Sequence, residues 1–201
     1  MARIAIAFHS GYGHTEALAN SIADGVRQSG AEAVLLKIES AVQDFDPFLD
    51  EIGRSDAVIF GSPTYMGDVS APFKAFADAT SKPWLTQAWK DKLAAGFTVS
   101  HSFSGDKLHT LQSLSVLAAQ HGMVWIGQGE AAPAVTAAER GPDAINRVGA
   151  FLGLAAQADN AAPDISPPAG EHLTAQLLGR RVALAARRWA RGADNELARA
   201  A

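Results

Sequence analysis

The stretch His9-Ser10-Gly11-Tyr12-Gly13-His14-Thr15 sets two glycines, three hydroxyls and two imidazoles directly after the apolar run Ile4–Phe8. Glycines let successive backbone N–H groups curl inward, and a helix starting just beyond offers its positive end. With Ser10 and Thr15 adding hydroxyls, such a turn can hold one phosphate. It contains no lysine or arginine, so it lacks the order G-x-x-x-x-G-K-[ST] of nucleotide triphosphatases. Glu16 stands where G-x-G-x-x-G needs its third glycine. A tight turn capped by Ser or Thr, with no ligand, is the alternative reading.

Two further loops have related chemistry. Ser62-Pro63-Thr64-Tyr65-Met66-Gly67 puts an aromatic ring and a thioether beside exposed backbone. A flat ring system with polar edges suits it, with side chains covering the faces and amides meeting the edges. Simple packing of the loop by Tyr65 and Met66 is the other possibility. Ser100-His101-Ser102-Phe103-Ser104-Gly105 supplies more hydroxyls and a glycine.

The elements that must position these loops follow from the apolar pattern. Ile4–Phe8, Val34–Ile38, Ala57–Gly61, Ala94–Val99 and Met123–Gly127 are short runs apolar on both faces, as strands buried between helix layers are. Helical spacing marks Thr15–Gly30, Ala71–Thr80, Asp106–His121 and Glu171–Arg191. Alternation of this kind predicts an α/β fold with a parallel sheet covered on both faces. The three loops then follow strands one, three and four, at the carboxyl edge where such sheets bind ligands. Residues 128–170, rich in Ala, Pro and Gly, read as a long irregular segment. Within it Asp143–Ala158 is a possible helix weakened by Gly149 and Gly153. One domain over 1–201, closed by a C-terminal helix at 171–192, is the expected organisation.

Composition narrows the chemistry. The absence of cysteine removes disulfides, thiolate catalysis and cysteine-ligated metal centres. A net charge of −4 argues against a nucleic-acid surface, and no run approaches a membrane span. A soluble cytoplasmic protein without signal peptide or metal site is the expectation.

Taken together, these loops resemble the flavodoxin-like FMN-binding proteins. The resemblance is nearest to the tryptophan-repressor-binding-protein type of NAD(P)H:quinone oxidoreductase and its FMN reductase relatives. It is carried by Ser10–Thr15, by Gly61–Gly67, by Lys92-Leu93-Ala94-Ala95-Gly96-Phe97-Thr98 and by Gln120-His121-Gly122-Met123, within residues 3 to about 127. It implies a three-layer sandwich around a five-stranded sheet of order 2-1-3-4-5. FMN is the implied cofactor, NADH or NADPH the donor, and a quinone or similar small molecule the acceptor.

Carried over by residue, the resemblance assigns the FMN phosphate to Ser10, Gly11, Tyr12, Gly13, His14 and Thr15. His14 is open between donating to that phosphate and lining the turn. The flavin ring goes to Pro63, Thr64, Tyr65, Met66 and Gly67, and to Ser100, His101, Ser102, Phe103, Ser104 and Gly105. His101 and His121 are candidate proton donors. Trp84 and His121 match substrate-side positions, with His121 reaching the flavin from a neighbouring subunit; an ordinary helix-terminal histidine and a buried or interface tryptophan are the alternative readings. A homodimer or homotetramer is implied, and Trp84, Trp89 and Trp125 are apolar area that a partner could cover. A flavodoxin-type electron carrier and a flavin-free interaction module on the same scaffold are the competing functions.

Overall fold

Along β1 (Arg3–His9), Ile4, Ile6 and Phe8 face one side of the sheet, while Ala5 and Ala7 face the other. The computed structural model describes residues 1–136 and 139–200. Strand β2 (Glu32–Ile38) pairs parallel with β1 on one side, and β3 (Ala57–Tyr65) pairs parallel with it on the other. Next to β3 lies β5 (Leu93–Ser100), also parallel, and a two-residue strand β4 (Asp68–Val69) folds back antiparallel on the end of β3.

The outermost position is shared by two strands. β6 (Val124–Trp125) pairs with Leu93 and Ala94 at the start of β5, and β7 (Leu154–Gln157) pairs with Phe97–Ser100 at its end. The sheet order β2-β1-β3-β5-β6 is therefore the five-position order of the resemblance, with its edge strand split. This corrects two expectations. Residues 123–127 do not make a full fifth strand, and the possible helix at 143–158 is a turn followed by β7. Gly153 supplies the physical reason for the re-entry. A Cβ there would overlap the Gly96 carbonyl of β5, so only a bare backbone enters the sheet at that point. Ahead of it, Asn146 closes the turn, donating from Nδ2 to Glu130 and Ala150 carbonyls and accepting from the Ala150 amide.

Two helix layers cover the sheet. α1 (His14–Gln28) and α6 (Ala169–Ala200) bury Leu18, Ile22, Val26, Leu178 and Val182 on the Ile4/Ile6/Phe8 face. They cross closely because a Cβ at Gly25 or Gly179 would overlap the other helix's backbone. On the opposite face, α2 (Asp46–Arg54), α3 (Ala71–Ala79) and α5 (Lys107–Gln120) bury Phe45, Phe60, Phe73, Phe76, Leu111 and Leu114. A short helix α4 (Ser81–Leu85) follows α3. Neither α2 nor α4 was expected. No described helix is long and apolar enough to cross a membrane.

Candidate functional site

The loops after β1, β3, β5 and β7 meet around one cavity of about 440 Å³ at the carboxyl edge of the sheet. In the first loop, Ser10 Oγ accepts from the amides of Gly13 (3.1 Å) and Glu16 (3.2 Å). That hydroxyl therefore shapes the turn from within, and its own proton remains uncommitted. Gly13 caps α1 at φ +89°, where a Cβ would also overlap the Pro163 ring. Among the described residues, the amides of Tyr12, His14 and Thr15 have no acceptor. They are the free donors of a helix start, which is what a phosphate requires. His14 turns its Nε2 to the Ala161 carbonyl oxygen at 2.8 Å.

The end of β3 forms a second wall. Pro63 and Thr64 are buried there, and Thr64 Oγ1 lies 2.8 Å from both Thr98 Oγ1 and Thr110 Oγ1. Tyr65 stands at the mouth in an edge-to-face pair with Tyr12, ring centroids 6.2 Å apart. Its hydroxyl leaves no room for a Cβ at Gly11. Met66 (φ +48°) and Gly67 (φ +86°) turn the chain into β4, and the Met66 side chain lies in solvent outside the cavity lining.

Ser100 and His101 line the cavity from the end of β5. Ser102, Phe103, Ser104 and Gly105 curl away into α5. Phe103 and Ser104 line a neighbouring groove, with the Arg147 guanidinium 4.8 Å above the Phe103 ring. Behind this loop is a residue the sequence reading missed. Lys107 is 1 % exposed, and its Nζ donates to Ser100 Oγ (2.9 Å) and the Ser102 carbonyl (2.5 Å). Burial pulls its pKa down to about 8.

The fourth wall was also missed. Ala158, Asp159 and Asn160 line the cavity after β7. Gln157 fastens this wall to the third loop, donating from Nε2 to the His101 carbonyl (3.0 Å) and to Asp159 Oδ1 (2.9 Å). The Gln157 amide donates to Glu171 Oε1 at 3.1 Å. Glu171 is fully buried, and desolvation raises its pKa to about 7. A charged residue opening a helix reads as a solvated cap in sequence, so neither Glu171 nor Lys107 gave a signal.

His121 and Trp84 lie elsewhere. α5 begins beside Ser100 and ends at Gln120, so His121 sits a helix length away, about 20 Å. Its ring is 2 % exposed, 4.6 Å from the Trp89 ring, with Nε2 2.9 Å from Thr80 Oγ1. Burial lowers its pKa. The ring is enclosed by its own chain. Trp84 is half-exposed in α4 and does not line the cavity. Trp89 is core, which corrects the expectation that it is area a partner could cover, while Trp125 is partly buried with its Nε1 donating to the Leu152 carbonyl at 2.7 Å.

The arrangement fits a flat ring carrying a single phosphate. No lysine or arginine lines the cavity, the free amides sit at one end, and Pro63–Tyr65 faces Ser100–His101 at the other. FMN has those two parts. Comparison with known proteins agrees. The family model of NADPH-dependent FMN reductases matches residues 7–136. Flavodoxin FldP of Pseudomonas aeruginosa is 39 % identical over 183 residues, covering 91 % of this chain and 96 % of that protein. An NAD(P)H dehydrogenase (quinone) of Archaeoglobus fulgidus is 30 % identical over 202 residues, with the same two coverages of 91 % and 96 %. The crystal structure of a flavodoxin, WrbA-like protein from Agrobacterium tumefaciens superposes with a TM-score of 0.74. It shares 37 % identity over 94 % of this chain and 99 % of that one. The chain thus belongs to the NADPH-dependent FMN reductase family and is a flavodoxin-like, FMN-dependent oxidoreductase.

Proposed function

We propose that the chain uses bound FMN to pass electrons from NAD(P)H to a quinone or similar small planar acceptor. The observation that carries this reading is the open mouth of the cavity, flanked by the exposed rings of Tyr12 and Tyr65. FMN supplies the hydride and electron chemistry, as flavins do.

In this reading the chain's residues bind, orient and polarise. The free amides of Tyr12, His14 and Thr15, with the positive end of α1, hold the phosphate. Pro63, Thr64 and Tyr65 flank one side of the ring, and Ser100 and His101 the other. The hydroxyl cluster of Thr64, Thr98 and Thr110 keeps the ring floor rigid, since each side chain is buried and partnered. Tyr12 and Tyr65 offer aromatic faces and edges to nicotinamide and acceptor in turn. His101, exposed at the mouth, is the candidate proton donor to the reduced acceptor.

The test is NADPH consumption with a soluble benzoquinone, using FMN-loaded and flavin-stripped protein. Turnover by the loaded form alone supports the reading, and equal rates in both contradict it. A second reading, one-electron carriage to a protein partner, is favoured by the relative named Flavodoxin FldP. It requires that NADPH leave the bound flavin oxidised.

A further inference from the structure

Lys107 sits where a charge is costly to keep. It is 1 % exposed, and its two hydrogen-bond partners are neutral oxygens, Ser100 Oγ and the Ser102 carbonyl. Both belong to the loop that turns from the cavity wall into α5. Acidic charge reaches the ammonium electrostatically from Glu171 at the start of α6. Glu171 is itself enclosed. Its Oε1 accepts the Gln157 amide and lies 3.6 Å from Arg147 Nε, while its Oε2 has no partner among the described residues.

The bonds of this cluster converge on the cavity. Lys107 holds Ser100 and Ser102, and Glu171 holds the backbone of Gln157. Gln157 in turn holds the His101 carbonyl and Asp159, and Arg147 donates to Gln157 Oε1 at 3.1 Å. Two cavity walls that are remote in sequence are joined at Gln157, with buried Lys107 bonded to one wall and buried Glu171 to the other. A lysine kept only for packing would be served as well by methionine, without the cost of desolvation. Here the charge sits directly behind Ser100, which lines the cavity.

We propose that Lys107 is the positioning residue of the flavin-ring loop. Its buried ammonium sets the path of Ser100–Ser102 and, opposed by the Glu171 carboxylate, biases the bound FMN toward its electron-rich reduced form. The two charges act on that balance with opposite signs. The inference rests on FMN binding and not on the choice of acceptor, so a wild-type chain without quinone reductase activity leaves it standing.

The experiment compares wild type, Lys107→Met, Lys107→Arg and Glu171→Gln after loading with FMN, between the Glu171 midpoint of about 7 and the Lys107 midpoint of about 8. It reads the FMN midpoint potential by dye-mediated redox titration and the FMN Kd by fluorescence quenching. Lys107→Met is expected to shift the reduced-to-oxidised balance about tenfold toward oxidised, about 30 mV for a two-electron couple. It should also weaken FMN binding several-fold, and Lys107→Arg should restore both. Glu171→Gln is expected to move the potential the other way. Mere loosening of the loop does not produce shifts of opposite sign. Equal potentials in Lys107→Met and Glu171→Gln, or shifts of the same sign relative to wild type, overturn the proposal. Should Lys107→Met fail to fold, Glu171→Gln decides alone: a potential unchanged or more negative than wild type overturns it.

Discussion

His14 Nε2 lies 2.8 Å from the carbonyl oxygen of Ala161, joining the loop after β1 to the loop after β7 across one end of the cavity. The two residues are 147 positions apart, and their bond helps close the end of the cavity proposed to hold the phosphate. Replacing His14 with alanine removes one hydrogen bond of about 1 kcal/mol. The fold should survive, and the FMN Kd measured by fluorescence quenching should rise roughly five- to tenfold. Unchanged affinity would show that the 158–163 loop holds its position without His14.

Gly11 and Gly13 separate backbone need from side-chain clearance. Gly13 has φ +89° and no room beside Pro163. Gly13→Ala should cost about 1–3 kcal/mol of stability in denaturant melts and abolish tight FMN binding. At Gly11 the obstacle is the Tyr65 hydroxyl, the far end of a side chain that can move. Gly11→Ala should therefore leave stability near wild type and displace Tyr65, raising KM more than it lowers kcat. Similar losses of stability in both variants would contradict this division.

Tyr12 and Tyr65 meet edge to face at the mouth. Aromatic contacts of this kind contribute about 0.5–1.5 kcal/mol beyond buried area. Tyr65→Ala should raise the KM for a benzoquinone roughly three- to tenfold, with a smaller change in FMN affinity. An unchanged KM would move the acceptor site elsewhere.

Glu171 provides a pH signature of stability. Its folded pKa is raised from 4.5 to about 7, so the folded state holds the proton over that window while the unfolded chain has lost it. Its contribution is present below pH 4.5 and is lost as pH rises through 7. Glu171→Gln mimics the protonated form at all pH values. The variant's stability relative to wild type should therefore improve by about 3 kcal/mol between those limits, measured by urea melts at each pH. A constant difference would mean that the carboxyl titrates normally.

Much of the fold can be read from local pattern. Ile4, Ile6 and Phe8 alternating with Ala5 and Ala7 mark a strand buried on both faces, while the order of the strands in the sheet comes from the family resemblance and not from such runs. The helix Asp46–Arg54 had a signal that was passed over: Pro47 in its first turn, followed by Phe48, Leu49 and Ile52 at helical spacing. β7 had none. Leu154-Ala155-Ala156-Gln157 is too short to separate strand from helix by period, and its place is fixed by pairing with Phe97–Ser100. The fourth cavity wall was hidden for the same reason. Lys107 and Glu171 were hidden because local sequence assigns charged residues at helix starts to solvent, and only tertiary packing buries them.

The central claim is that this chain binds FMN and accepts hydride from NAD(P)H. The most direct measurement is the visible absorption spectrum of the FMN-loaded protein before and after anaerobic addition of NADPH. The account predicts a yellow protein that bleaches within the mixing time of a manual assay. A flavin that stays oxidised under excess NADPH and excess NADH, or a chain that takes up no FMN, would contradict it.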